Sequence, residues 1–416
     1  MPSRNEPHFP DFSTFIDRVN SAEHARFTTA RPALRVGAEE FDGMRAHIQS
    51  LYAGIETVPH SFVDDNDQIF DCVPIRSQPA LRGATEAPPA PPDAPAAPGP
   101  RTASQGVPLR PQLRSDRIDK FGHAMACPPG TIALRRITLD ELARRSTLRN
   151  FFQKSPLGTG RHPRLSPPSV QAGIHKYAHA FQIAGNLGGH SFINIWDPTV
   201  GSQIFSLSQH WYAAGSPVQT VECGWQVYPG KYGTTQPCLF IYWTADGYQN
   251  TGCYNHDCSA FVQTNPNWAF GGTLGPVSVL GGAQYELEVA FYFNGGNWWL
   301  YLGGTSASNA VGYYPGSLFG SGPLATGAAS DVDYGGEVVD NTAWPPMGSG
   351  MFASSGWQWA AYHRDVVYYP TAGGGVQASL TPSQPSPNCF TCEVNHADPP
   401  WNEYFFHGGP GGTDCA

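Results

Sequence analysis

The clearest pattern in the chain lies at 285–302. There Tyr285, Leu287, Val289, Phe291 and Phe293 alternate with Glu286 and Glu288, and Asn294-Gly295-Gly296-Asn297 leads into the run WWLYLGG. Period-two alternation sends the apolar set to one face of a strand, and a tight Asn/Gly turn closes a hairpin. The spacing predicts a hairpin with one buried face and with Glu286 and Glu288 on the solvated one. Similar short runs recur between turn residues beyond residue 169: HSFINIWDP, FSLSQHWYAAG, CLFIYWTADG and GPVSVL. About a dozen such runs without intervening helical spacing predict an all-β, antiparallel two-sheet β-sandwich of jelly-roll or concanavalin-like form.

The first part of the chain reads differently. Over 10–56, Phe41, Met44, Ile48, Leu51 and Tyr52 recur at helical spacing and predict one packed helical face. Residues 80–113 form a Pro/Ala-rich tract with too few apolar side chains for a core, expected to be an extended linker looping out of the module. In CPPGTIALRRITLDELARRS (127–146) a short extended segment precedes a helix, with Thr138 and Glu141 at capping-box spacing. Residues 150–168 are basic, rich in Pro and Gly and without period, which predicts an exposed, cleavable connection. The expected division is therefore a smaller mixed α+β segment over 1–168 and a β domain over 169–416.

Charge sharpens that division. Residues 1–168 hold 21 Lys and Arg against 18 Asp and Glu, whereas residues 169–416 keep only Lys176, Lys231 and Arg364 against 15 carboxylates. All 11 tryptophans lie in the second part, which places the large core there. So few cations exclude nucleic acid as a partner of the β domain, since that binding depends on neutralising phosphates. No apolar run is long enough to span a membrane, and a monomer is expected. The start, MPSRNEPHFP, lacks the basic and apolar regions of a secretory leader. Nine cysteines nevertheless point to disulfides, an oxidising compartment and secretion, with at least one thiol left over. Cys72–Cys127, Cys253–Cys258 and a bond from Cys415 to Cys389 or Cys392 are the expected pairings.

Common catalytic sets are absent. No G-x-S-x-G occurs, and Ser206, Ser208, Ser317 and Ser349 read as strand and turn serines without a histidine partner. His175 and His179 stand four apart without an H-E-x-x-H glutamate and read as solvent-side residues rather than zinc ligands. A single C-x-x-C, Cys389 and Cys392, falls short of a zinc site. What remains is carboxylates among glycines and aromatics. In QTVECGWQVYP, Glu222 shares a face with Gly224 and Gln226, while in DYGGEVVD, Glu337 follows two glycines that leave space beside it. Either glutamate taken alone reads as a surface residue.

The segments FSLSQHWYAAG, VECGWQVYPGKYG, LFIYWTADGYQNTGCYNHDCSAFVQTN, GPVSVLGGAQYELEV, NWWLYLGG, VGYYPGSLF, YGGEVVD and MGSGMF resemble, in order, the peptidase domain of the neprosin family. WNEYFFHGGPGG is similar to that domain's C-terminal end, and FDCVPIRSQPAL with CPPGTIALRR to the family's N-terminal activation segment. The resemblance implies a secreted glutamic endopeptidase, cutting after proline at acid pH and made as a zymogen whose own prosegment is its intramolecular inhibitor. It implies that Glu222 and Glu337 are the catalytic pair acting on protein or peptide substrates, chemistry that requires no metal or cofactor. Cys223 departs from the small residue expected after the first glutamate, and a Cys223–Cys238 cross-strand disulfide would stiffen the site. Gln226 is the candidate oxyanion donor, and Trp225, Tyr242 and Tyr248 are candidates to line the cleft.

Residues 101–168 carry 13 cations against 4 carboxylates, so this segment is expected to clamp onto the acidic domain at neutral pH and loosen as carboxylates protonate. The same residues would equally serve only to keep the segment soluble. Two rival readings stand beside the peptidase: a sandwich glycoside hydrolase, and a non-enzymic carbohydrate-binding domain.

Overall fold

The helical spacing of the first part becomes three helices in the computed structural model, which describes residues 9–34, 36–99, 106–145, 147–154 and 175–415. They span Phe12–Asn20, His24–Ala30 and Ala38–Leu51. Phe41, Met44 and Ile48 are fully buried, with Leu51 and Tyr52 beside them, so the predicted face is the packed one. This face closes over a three-stranded antiparallel sheet ordered His60–Val63, Ile69–Pro74, Thr131–Arg135. The Cys72–Cys127 disulfide ties that sheet to the turn before its last strand. Thr138 caps the helix Leu139–Ala143 by accepting from the Glu141 amide at 3.2 Å. A last short helix, Leu148–Phe152, leads to Lys154. The rest of the expected cleavable connection, 155–168, lies outside the described residues.

The Pro/Ala tract does not loop out. The Ala94 amide donates to Thr305 O at 2.9 Å, Tyr301 donates its hydroxyl to Pro92 O at 2.9 Å, and Ala94 is buried against the β domain. Its short, stiff residues cannot build a core of their own, but they lie flat on an existing sheet. Further on, Val107–Pro108 runs parallel to the start of Tyr285–Asn294 and adds a short edge to it.

Beyond residue 175 the protein is mostly β. Where a two-sheet sandwich is expected, the strands of the described residues, Val107–Pro108 among them, form one hydrogen-bonded sheet of sixteen, antiparallel apart from that short edge, curled around its own core. The strand His175–Asn194 makes the curl possible, because its neighbours change halfway along. Its first half pairs with Ala329–Val339, and its second half with Tyr285–Asn294 on one edge and Ala361–Pro370 on the other. The change falls at GNLGGH, where Gly188 has φ of 118° and a Cβ would sit 2.1 Å from Phe291 O, so only glycine fits. Among the described residues, no helix is long and apolar enough to cross a membrane.

The hairpin forms as expected, with Asn294 opposite Asn297 and both intervening glycines at positive φ. Its second face is not solvated, however. Glu286 and Glu288 are buried, Glu286 against Arg364 and Tyr362 and Glu288 3.0 Å from His190. The segment at Gly106 and the tract at Ala94 lie over that face, and Arg364 and Tyr362 reach Glu286 from Ala361–Pro370, two strands away in the same sheet, none of which alternation can reveal.

The disulfides Cys253–Cys258 and Cys389–Cys415 are formed. Cys223 and Cys238 are not joined, and both are buried free thiols, as is Cys392. Cys223 stands opposite Ile241 and Cys238 opposite Gln226, three positions apart in register. An odd offset in a strand pair sends the two side chains to opposite faces.

Candidate active site

Four adjacent strands build the floor of the site: Ala329–Val339, Phe205–Ala214, Gln219–Val227 and Cys238–Thr244. Alternation puts Glu337 and Gly335 of the first strand on one face with Leu207, Gln209 and Trp211 of the second. Glu222, Gly224 and Gln226 of the third and Tyr242 of the fourth share it. In register, Trp211 stands between Asp333 and Glu222, Gln209 between Gly335 and Gly224, and Leu207 between Glu337 and Gln226. The opposite face, with Val221, Cys223 and Trp225, belongs to the interior of the curl.

Glu222 and Glu337 are both fully buried, so the surface reading of each does not hold. One ammonium joins them: Lys154 Nζ lies 2.6 Å from Glu222 Oε2 and 2.8 Å from Glu337 Oε2. Those two oxygens are therefore within two hydrogen-bond lengths of each other. Tyr248 and Thr220 each donate a hydroxyl to Glu222 Oε1 at 2.8 Å. His175 Nδ1 is 2.6 Å from Glu337 Oε1, with the Tyr177 hydroxyl at 3.4 Å. Lys154 is itself fully buried, 5.2 Å from the centre of the Trp211 ring. Its carbonyl accepts from Tyr254 at 2.9 Å, and that of Phe152 accepts from Tyr242 at 3.3 Å, which fixes the incoming chain.

The electrostatics favour the charged states of Lys154 and Glu337. Burial by itself would lower the Lys154 pKa, but Glu222 and Glu337 outweigh it and hold the ammonium above the ordinary lysine value. For Glu337 burial pushes upward, and Lys154 together with His175 reverses this, leaving its carboxyl below the ordinary value. Among the described residues Arg114, Arg117, Lys120, Arg135 and Arg136 pair with Asp116, Asp65, Asp67, Glu141 and Asp71, all within the N-terminal module. Among the described residues of the basic stretch, Lys154 pairs with carboxylates of the β domain, while Arg145 donates to Gly230 O and Arg149 to Gln249 O and Asn250 Oδ1 there.

Several expected residues take other places. Trp225 faces away from the carboxylates, its indole N–H donating to Asn194 O at 2.9 Å in the core. Gln226 shares the face of Glu222, but its amide donates to the Tyr254 hydroxyl at 3.1 Å and accepts from Tyr232 at 3.5 Å, two rows from Glu222. Tyr248 touches Glu222, and Tyr242 stacks on Tyr248 at 6.0 Å. His175 and His179 are buried, not solvent-side, and face Glu337 and Asp333. Ser208 does have histidine neighbours, with His363 Nε2 at 2.8 Å and His407 Nε2 at 3.3 Å, sealed inside the curl. Burial keeps both rings neutral there, His363 well below the ordinary histidine value and His407 down to about 3.

Lys154, Gln209, Trp211, Thr220 and Tyr177 also belong to the site and were not singled out by sequence, and His175 was read there only as a solvent-side residue. The run FSLSQHWYAAG held a usable signal, since Phe205, Leu207, Trp211 and Ala213 share one phase and Gln209 is the polar residue that interrupts it.

The model of the Neprosin family matches residues 202–410, a stretch that contains both glutamates and all four floor strands. Among solved structures, one of scytalido-glutamic peptidase with a transition state analog inhibitor is similar at 6% identity and a TM-score of 0.33, covering 56% of this chain and 98% of that one. SCP-B, a member of the Eqolisin family of peptidases in a complex with a tripeptide, is similar at 6% identity and a TM-score of 0.28, over 56% and 98%.

Proposed function

Because this chain belongs to the Neprosin family, we propose that it is a glutamic endopeptidase made in latent form, with Glu222 and Glu337 as its catalytic pair and residues 1–168 as its prosegment. One observation carries this reading: two fully buried glutamates, from strands far apart in sequence, meet a single ammonium from the N-terminal module at 2.6 and 2.8 Å.

Once Lys154 leaves, two carboxylates this close cannot both ionise cheaply, and the pair holds one proton. The ionised member takes a proton from water as the water oxygen bonds to the scissile carbonyl carbon. The protonated member gives its proton to the amide nitrogen as the carbon–nitrogen bond breaks. An acid and an amine leave, and the pair ends with its one proton on the other member. Tyr248 and Thr220 on Glu222, and His175 on Glu337, hold the two carboxylates in place.

In the latent form Lys154 pairs with both catalytic groups and occupies the space between them. Glu337 sits below the ordinary carboxylate value, so its hold on the lysine is complete above that range and is lost as pH falls through the depressed value. That sign fits release and action in acid. Secretion, suited by the three disulfides, belongs to the same proposal, as do a monomeric state and cleavage after proline beside the stacked tyrosines Tyr242 and Tyr248.

The test is hydrolysis of a proline-containing protein, and of a panel of polysaccharides, by acid-exposed protein. Glu222→Gln and Glu337→Gln are each expected to lower proteolysis by roughly 10²–10⁴-fold. Proteolysis that survives both substitutions sinks the pair, and sugar release favours a glycoside hydrolase instead.

A further inference from the structure

We propose that Gln209 contacts the substrate, its side-chain amide donating a hydrogen bond to the scissile carbonyl oxygen as negative charge develops there. The inference rests on Glu222 and Glu337 being the catalytic pair and adds a third group to them.

The register places Gln209 at the centre of the site. It stands opposite Gly335 on the Glu337 strand and opposite Gly224 on the Glu222 strand. Glu337 lies one row to one side, level with Leu207, and Glu222 one row to the other, level with Trp211. The backbones of the two glutamates are thus separated by about 13 Å along the strands and about 10 Å across them. Their carboxylates still share one ammonium, so both side chains lean inward along the diagonal whose midpoint is Gln209. Neither residue beside Gln209 in register carries a side chain. A Cβ at position 224 would sit 2.0 Å from Ser208 O and 2.8 Å from the Gln209 Cβ, so nothing larger than glycine fits.

The amide itself is unusual. Gln209 is fully buried, and neither its Nε2 nor its Oε1 has a hydrogen-bond partner among the described residues. The other buried glutamines there each make at least one hydrogen bond. Gln226 bonds Tyr254, and Gln219 spans Phe319 O at 3.0 Å and the Leu324 amide at 3.1 Å. A buried amide with neither donor nor acceptor used weakens the fold. At this position the missing partner is supplied by a peptide lying across the diagonal. The chemistry needs such a donor. One glutamate is occupied with water and the other with the leaving nitrogen, and an amide N–H donates to an oxyanion without changing protonation.

The experiment measures kcat and KM for a short proline-containing peptide, after identical acid exposure, for wild type, Gln209→Ala and Gln209→Glu, alongside Glu222→Gln and Glu337→Gln. Gln209→Ala is expected to lower kcat by about 10²–10³-fold with KM changed by less than about threefold. Gln209→Glu keeps the size of the side chain but donates only when protonated, so its residual activity is expected to fall away at lower pH than that of wild type. Folding is checked by urea denaturation. If Gln209→Ala does not fold, the pH profile of Gln209→Glu decides. A folded Gln209→Ala with kcat within about threefold of wild type overturns the inference, as does a Gln209→Glu profile superimposable on wild type. If those results appear while Glu222→Gln and Glu337→Gln are inactive, only the role of Gln209 falls. If the two glutamate variants are active, the catalytic pair falls first.

Discussion

Glu286 and the Glu222–Glu337 pair are equally buried, and among the described residues each meets a buried cation and a tyrosine hydroxyl, yet the two sites are built to behave differently. Arg364 meets Glu286 with two nitrogens of its planar fork. A third Arg364 nitrogen donates to Pro400 O at 2.8 Å, and the guanidinium lies 3.8 Å from the centre of the Phe192 ring. Among the described residues these partners come from the same curled sheet or its loops, and the two-nitrogen fork fixes the pair within it. Lys154 instead offers one point charge to two carboxylates and arrives from a different module. It can leave with its own chain while the strands that carry Glu222 and Glu337 stay paired through Phe205–Ala214. A buried carboxylate with a resident cation is a structural element, whereas one with a visiting cation is a site kept closed.

The strongest way to break this comparison is to remove each cation in turn. Arg364→Ala takes from the buried Glu286 the guanidinium that meets both its oxygens, and is expected to cost about 3–5 kcal/mol of stability, read as a lower urea midpoint. The double change Glu286→Gln with Arg364→Met is expected to recover part of it, because no uncompensated charge remains. Were Arg364→Ala as stable as wild type, the resident pair would not be structural. Lys154→Met is expected to cost less, about 1.5–3 kcal/mol, since the freed carboxylates can share a proton. Its larger effect falls on latency, with peptidase activity in the full-length protein appearing at higher pH than in wild type. Equal onset in both proteins would mean that Lys154 is not what holds the site.

How much of this was legible in the sequence depended on what alternation can carry. Period-two patterning gave the hairpin at Asn294–Asn297 and the shared face of Glu222, Gly224 and Gln226, because both follow from local geometry. It misjudged Glu286 and Glu288, since the pattern marks the face turned from the core and says nothing about a distant segment laid over it. The Cys223–Cys238 disulfide failed for a related reason: strand neighbours are identifiable, but a register offset of three is not. Lys154 was invisible. A lysine after two phenylalanines in a basic stretch looks like any solvated cation, and only the meeting of two modules gives it partners. The glutamates became a pair through family resemblance, and their convergence on one ammonium is a property of the folded chain.

The resident and visiting cations are compared most directly by pulse-labelled hydrogen exchange of the full-length protein, read by mass at steps from about pH 7 to about pH 3 and corrected for the intrinsic rate at each pH. Glu337 holds Lys154 fully above the ordinary carboxylate range of about 4.3 and loses it as pH falls through its depressed value. Peptides covering Leu148–Phe152 and Lys154 are therefore expected to lose protection first, below that range, while peptides covering Ala361–Pro370 keep theirs. Loss of protection in both regions together, or in the Arg364 strand first, would contradict the distinction between a structural cation and a removable one.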